Sequence, residues 1–244
     1  MPTPHRPAPT DVTGLLELLQ RDPGRPRVTW YGEDGERVEL SGAVLANWVA
    51  KSTNLLVDEA DAAPGVRVAL DLPPHWRALV WALAAWRCGA GVVLDGCGAE
   101  VVVTHRPQEA GPASPGAVVV AVALPALARQ FGPGLPPDAV DGAAVLSHPD
   151  VVVWAPPVDP TAPALTVDGT TVPHARLLAA DAPAAQRVAL TADDLPALLR
   201  TALATWAADG SVVLLAAPLA AALRADPARR ARVLGPENVT DDRA

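Results

Sequence analysis

The stretch 65-GVRVALDLPPHWRALVWALAAWRCGAGVVL-94 decides the fold. It opens on a β-branched run, 66-VRVAL-70, passes through a loop with two prolines, and continues as 75-HWRALVWALAAWRCG-89, a helix ending in glycine. A second apolar run, 91-GVVL-94, follows at once. Strand, crossover helix and parallel strand make the elementary unit of an α/β sheet. The helix is apolar around much of its circumference, so a sheet and neighbouring elements are both expected to cover it. Trp76, Trp81 and Trp86 recur five residues apart, which spreads them around the helix, and they read as core or interface packing.

Working outward, 12-VTGLLELLQRD-22 has leucines at helical spacing, and 28-VTWY-31 with 37-RVEL-40 flank 32-GEDGE-36 as a hairpin. Ser41 is placed to cap a helix over 43–57. Toward the C-terminus, 99-AEVVVT-104 and 117-AVVVAVA-123 suit strands buried on both faces. A short helix is expected over 124–130, a strand over 151–154, and a strand and turn over 164–171. Further helices are expected over 174–182, 193–208 (capped by Asp193) and 218–225, with strands at 211–217 and 231–235. The expected fold is α/β: a mainly parallel sheet flanked by helices. Residues 1–10 read as a loose tail, 11–235 as one domain with a subdivision near 155–163, and 236–244 as a polar tail.

Half of the 244 residues are hydrophobic and the formal charge is −8. The one basic cluster, 228-ARRAR-232, reads as a solvated turn, and nucleic-acid binding, which wants a positive stripe, is set aside. No apolar run is long enough for a membrane span, so a cytoplasmic protein is expected, with no membrane partner. Cys88 and Cys97 read as buried structural thiols rather than a disulfide framework. No metal-ligand spacing joins them to His75 or His105, and no metal site is expected. His148 is expected to be exposed, and His5 lies in the loose tail.

The order and spacing of 65–94 resemble the N-terminal part of the acyl-adenylate-forming family, which includes acyl-CoA synthetases, luciferases and the adenylation domains of peptide synthetases. The likeness starts near 23-PGRPRVTWY-31 and continues through 41-SGAVLANWVAKSTNLL-56. The link from Asp95 to Gly98 is shorter than the family's. A second anchor, 164-ALTVDGTTVPHARLLAA-180, looks like the family's phosphate loop followed by proline, lysine and a helix. Gly169, Thr170, Thr171 and Pro173 fall on that pattern. His174 stands where the lysine is expected, and Asp168 where a hydroxyl residue is expected. The chain is also similar to an uncharacterised actinobacterial family of this type. Family enzymes are far longer, so the resemblance implies that their later nucleotide-contacting motifs and catalytic lysine fall outside the match.

Two clusters are candidate sites. In 168-DGTTVPHAR-176, Gly169 lets the backbone approach an anion, and Thr170 and Thr171 offer hydroxyls and amides. Arg176 is the nearest cation, and His174 is partly charged at neutral pH. Asp168 opposes an anion, and the same residues also read as a plain turn. In the second cluster Asp71, His75, Asp95 and His105, with Arg106, follow strands at the sheet edge where α/β ligands bind. Asp71 and His75 read equally as caps of the following helix.

The chain has a single lysine, Lys51, against eighteen arginines, and phosphoryl chemistry leans on lysine as a mobile phosphate ligand. One functional reading is therefore a non-catalytic or accessory protein that requires no cofactor. The alternative is a small nucleotide- or acyl-adenylate-binding protein or enzyme using 168–176, taking ATP or AMP with magnesium. A homodimer or a protein partner is expected to cover the apolar faces of 76–88 and 211–217, and a small-molecule ligand would sit at the strand ends.

Overall fold

The computed structural model describes residues 8–109, 113–179 and 185–244. His5 lies outside them, as do most of the N-terminal tail and residues 180–182 of the expected helix. Helix α1 (Val12–Leu19) is capped by Asp11 and packs on α2 (Gly42–Ala60). Their approach is so close at Gly42 that an added Cβ would lie 2.1 Å from the Leu19 carbonyl oxygen. Ser41 caps α2 as expected, accepting from the Val44 amide at 3.3 Å. Between them, β1 (Pro26–Tyr31) and β2 (Arg37–Ser41) form the expected antiparallel hairpin.

The 65–94 unit folds as β3 (Arg67–Asp71), α3 (Trp76–Arg87) and β4 (Gly91–Val93), with β3 and β4 parallel neighbours in one sheet. Then come β5 (Val101–Thr104), β6 (Val118–Ala121), β7 (Val140–Asp141), β8 (Pro163–Val167) and β9 (Thr170–Pro173). The chain closes with β10 (Arg187–Ala192), α4 (Leu195–Ala207), β11 (Ser211–Ala216), α5 (Ala217–Ala225), α6 (Pro227–Leu234) and β12 (Asp241–Arg243). The strands form two sheets, β12-β10-β11-β1-β2 and β7-β6-β5-β3-β4-β8-β9. Among the described residues, all pairings are parallel except the β1–β2 and β8–β9 hairpins.

Helix α3 contacts β1 in one sheet and β3 and β4 in the other. That position explains its all-round apolar surface: every residue from Trp76 to Trp86 is buried. β11 is buried along its whole length between β10 and β1. The faces expected to need a partner's cover, 76–88 and 211–217, are thus largely covered within the chain. Arg27 ties the layers together. Its buried guanidinium donates to the carbonyls of Leu19 and Gly210 and lies 2.8 Å from a carboxylate oxygen of Asp209. Among the described residues, no helix is long and apolar enough to cross a membrane.

Several local expectations are corrected. Residues 124–130 form no helix, because Arg77 takes the carbonyls of Leu124 and Pro125 while Glu36 takes the Ala126 amide. The 151–154 run is not a strand in a sheet. The Asn54 side chain binds it, donating to the carbonyls of Pro149 and Val151 and accepting from the Val153 amide. Of the helix expected at 174–182, only a 3-10 turn, His174–Arg176, is described. Asp194, not Asp193, caps α4. The expected strand 231–235 and the expected turn at 228–232 are both helix: Asp226 caps α6, Pro227 sits in its first turn, and alanine and arginine are good helix formers. Within 236–244, expected as a polar tail, β12 pairs with β10. Cys88 is buried but Cys97 is exposed. His148 is mostly covered, its ring 2.9 Å from a Glu59 carboxylate oxygen.

Candidate functional site

Strands β3, β4 and β5 run parallel, so the residues after them meet at one sheet edge. Asp71 and Thr104 are register partners, and the Thr104 hydroxyl donates to the Asp71 carboxylate at 2.6 Å. Arg106 reaches the other Asp71 oxygen at 3.2 Å, and the His105 ring lies 3.3 Å from the Asp71 carbonyl oxygen. Asp95 turns its carboxylate onto the Cys97 amide. Asp71, Asp95, Arg106 and Glu109 rim a cavity of about 180 Å³ floored by Ala69 and Val102. Its polar groups already satisfy one another, and its carboxylates outnumber its single cation. Among the described residues no cluster of three or more histidines, cysteines or carboxylates is arranged to hold a metal.

The 168–176 segment is placed differently. β8 and β9 are antiparallel, and Asp168 and Gly169 are the two residues of their turn, with φ of 47° and 74°. Left-handed conformations at both positions suit the twist of a two-residue hairpin, which is the role an Asp-Gly pair fills best. Thr170 and Thr171 are exposed on the edge strand, where the Thr171 hydroxyl lies 3.2 Å from that of Thr166. Because β9 reverses direction, His174 and Arg176 lie at the far end of the hairpin from Gly169. His174 is buried there, and burial lowers its pKa. Asp71 and Asp95 thus share the first cavity and His105 touches only the Asp71 backbone, whereas Gly169, Thr170, Thr171, His174 and Arg176 line neither this cavity nor the larger one described next.

His75 belongs to that larger cavity, of about 540 Å³, which opens between the two sheets. It lies where the β3–α3 loop meets the ends of β1, β10 and β11. The His75 ring is 5% exposed and stands edge-on to Trp30, with centroids 4.5 Å apart. Its Nδ1 accepts from the Arg77 amide at 3.2 Å, which caps α3. Burial, reinforced by Arg77 and His105, pushes its pKa down to about 3, so the ring is neutral in ordinary conditions. Trp30 donates to Glu36 at 3.0 Å, which fixes the wall opposite. The α5 N-terminus at Ala216–Pro218 also borders the cavity and has no side-chain cap. The sequence pointed to the strand that carries Trp30 and to a helix over 218–225, but gave neither a role at a site. The available signal was 215-LAAPLA-220, a helix start with proline in the first turn and no Ser, Thr, Asp or Asn before it.

No family model matches the chain. It is 39% identical over 154 residues to a TIGR03089 family protein of Mycobacterium tuberculosis (strain ATCC 25618 / H37Rv), a match covering 59% of this chain and 63% of that one. Among solved structures it resembles an acyl-CoA synthetase of Brucella canis, with a TM-score of 0.67 and 18% identity over 95% of this chain and 46% of that chain. It likewise resembles the amide bond synthetase McbA from Marinactinospora thermotolerans, with a TM-score of 0.62 and 18% identity, covering 95% of this chain and 48% of that one. A fused adenylation–PCP di-domain from Klebsiella oxytoca gives a TM-score of 0.67 at 15% identity, covering 97% of this chain and 43% of that one. The chain therefore has an adenylate-forming-like α/β fold and spans less than half the length of these solved structures.

Proposed function

We propose that this chain is a non-catalytic or accessory protein on an adenylate-forming-like scaffold, and that it does not activate carboxylates by itself. The observation that carries this reading is the β8–β9 hairpin. At the position similar to the phosphate loop stands a two-residue Asp-Gly turn with an exposed edge strand beyond it. The segment 168–173 carries a carboxylate and no cation. Stabilising a transferring phosphoryl group requires preorganised positive charge or aligned donors, and a carboxylate in the turn opposes the anion. The nearby cavity rimmed by Asp71, Asp95 and Glu109 has the same acidic character.

The test is carboxylate-dependent pyrophosphate exchange by the purified protein, beside a titration of wild type and Thr170→Ala with ATP and magnesium. The expected result is no exchange and no ATP binding that depends on Thr170. Exchange stimulated by any carboxylic acid would overturn the proposal. Binding of ATP that Thr170→Ala abolishes would instead favour the nucleotide-binding alternative.

A further inference from the structure

The cavity between the two sheets has a polarity that neither sheet explains alone. Among its lining residues are donors without acceptors. Because His75 Nδ1 accepts the Arg77 amide, the ring proton of the neutral imidazole resides on Nε2. That Nε2–H has no hydrogen-bond partner among the described residues, although the side chain is nine-tenths buried and lines the cavity. The cavity is also lined by the start of α5, a nine-residue helix without a side-chain cap, where Pro218 has no N–H and the Ala217 amide is the donor. Both features call for an acceptor, and the helix end favours a negative one.

The walls are apolar: the Trp30 ring, Pro73, Pro74, Leu124 and Pro125. The rim has the opposite character. Glu33 and Asp34, in the β1–β2 turn, are exposed carboxylates. Glu36 is already engaged by Trp30 and by the Ala126 amide. A polyanion entering past this rim meets repulsion, whereas a cation is attracted.

We infer that this cavity binds a short amphipathic molecule with a carboxylate at one end and an ammonium group at the other, an ω-amino carboxylate in chemical class. The carboxylate accepts from His75 Nε2–H and the Ala217 amide, the methylene chain lies against Trp30 and the prolines, and the ammonium faces Glu33 and Asp34.

Calorimetric titration of the full chain with 6-aminohexanoate, hexanoate, hexylamine and inorganic phosphate tests this. The expected order has 6-aminohexanoate tightest, with no binding of phosphate. His75→Asn keeps an N-cap acceptor for α3 but removes Nε2–H, and should weaken 6-aminohexanoate and hexanoate about tenfold, the scale of one charge-assisted hydrogen bond. It should leave hexylamine unchanged. The exposed pair Glu33→Gln and Asp34→Asn, which does not touch the core, should bring 6-aminohexanoate down to the affinity of hexanoate. If His75→Asn fails to fold, the rim variant decides. The inference is overturned if no probe binds, if phosphate binds as tightly as 6-aminohexanoate, if 6-aminohexanoate binds no tighter than hexanoate, or if neither variant changes its affinity.

Discussion

Glu237 shows how one residue joins distant parts of the chain. It is 5% exposed and accepts from the Tyr31 hydroxyl at 2.5 Å, from Arg37 at 2.9 Å and from Arg187. Burial alone would raise its pKa, but the hydrogen bonds from Tyr31, Arg37 and Arg187 outweigh burial and lower it. A carboxylate with a depressed folded pKa contributes stability that is present above its unfolded pKa and is lost as pH falls through the folded value. Glu237→Gln is therefore expected to cost about 2–4 kcal/mol at pH 7, since it leaves two arginines short of their counter-charge. Urea unfolding at several pH values checks this. The gap between wild type and variant should narrow as pH drops below about 4, the unfolded value of a glutamate, and a gap independent of pH would show that the charge is immaterial. Nothing in the local sequence marks this residue, because its three partners lie on β1, β2 and β10. His75 was legible as a candidate because it follows a strand, yet both of its roles emerge only in space: Nδ1 caps α3 while Nε2–H borders the larger cavity.

Among the elements, those with a periodic apolar pattern were read correctly from the chain: the β1–β2 hairpin, α2, the β3–α3–β4 unit, α4 and β11. The misreadings share a cause. In 124–130 and 151–154 the backbone groups that would have formed a helix or a ladder are taken by side chains remote in sequence, Arg77 and Glu36 in the first and Asn54 in the second. The start of α4 offers a sharp comparison of sequence and structure, because 193-DD-194 presents two adjacent acidic candidates. The Asp194 carboxylate accepts the Ala197 amide at 2.6 Å. Asp194→Ala should cost about 1 kcal/mol, the usual worth of an N-cap, and Asp193→Ala only a few tenths. Thermal melts of the two variants decide it, and equal shifts would mean that the cap is shared.

For the whole molecule, the two sheets are assembled from different parts of the chain. One draws β1 and β2 from the N-terminal part and β10, β11 and β12 from the C-terminal part; the other takes everything between. Helix α3 lies between them, and one apolar cluster runs from Val12 to Leu234. The last residues belong to this assembly. β12 lengthens the sheet beside β10, and Thr240 exchanges hydrogen bonds with Arg187. Deleting 236–244 removes Glu237 along with this edge strand, and at about 2–4 °C per kcal/mol for a chain of this size it should lower the melting temperature by roughly 5–10 °C. Calorimetry checks this, and a truncated chain melting with the wild type would show that the segment adds nothing to stability.

What the sequence determined by itself is the class of fold. Valine-rich runs alternating with apolar helices permit little other than a parallel sheet with helices on its faces, because those patterns follow from local periodicity and burial. The resemblance carried by 65–94 pointed to the same scaffold. What only the tertiary structure decided is which polar groups meet. Asp71 with Arg106, His75 with Trp30 and the start of α5, and Glu237 with two arginines are all brought together across elements, and side-chain chemistry at that range leaves no periodic trace in the chain. The 168–176 segment shows the same limit from the other side. Its residues read alike as a phosphate cradle or a turn, and only the pairing of β8 with β9 set Gly169 in a hairpin turn and buried His174 at the opposite end.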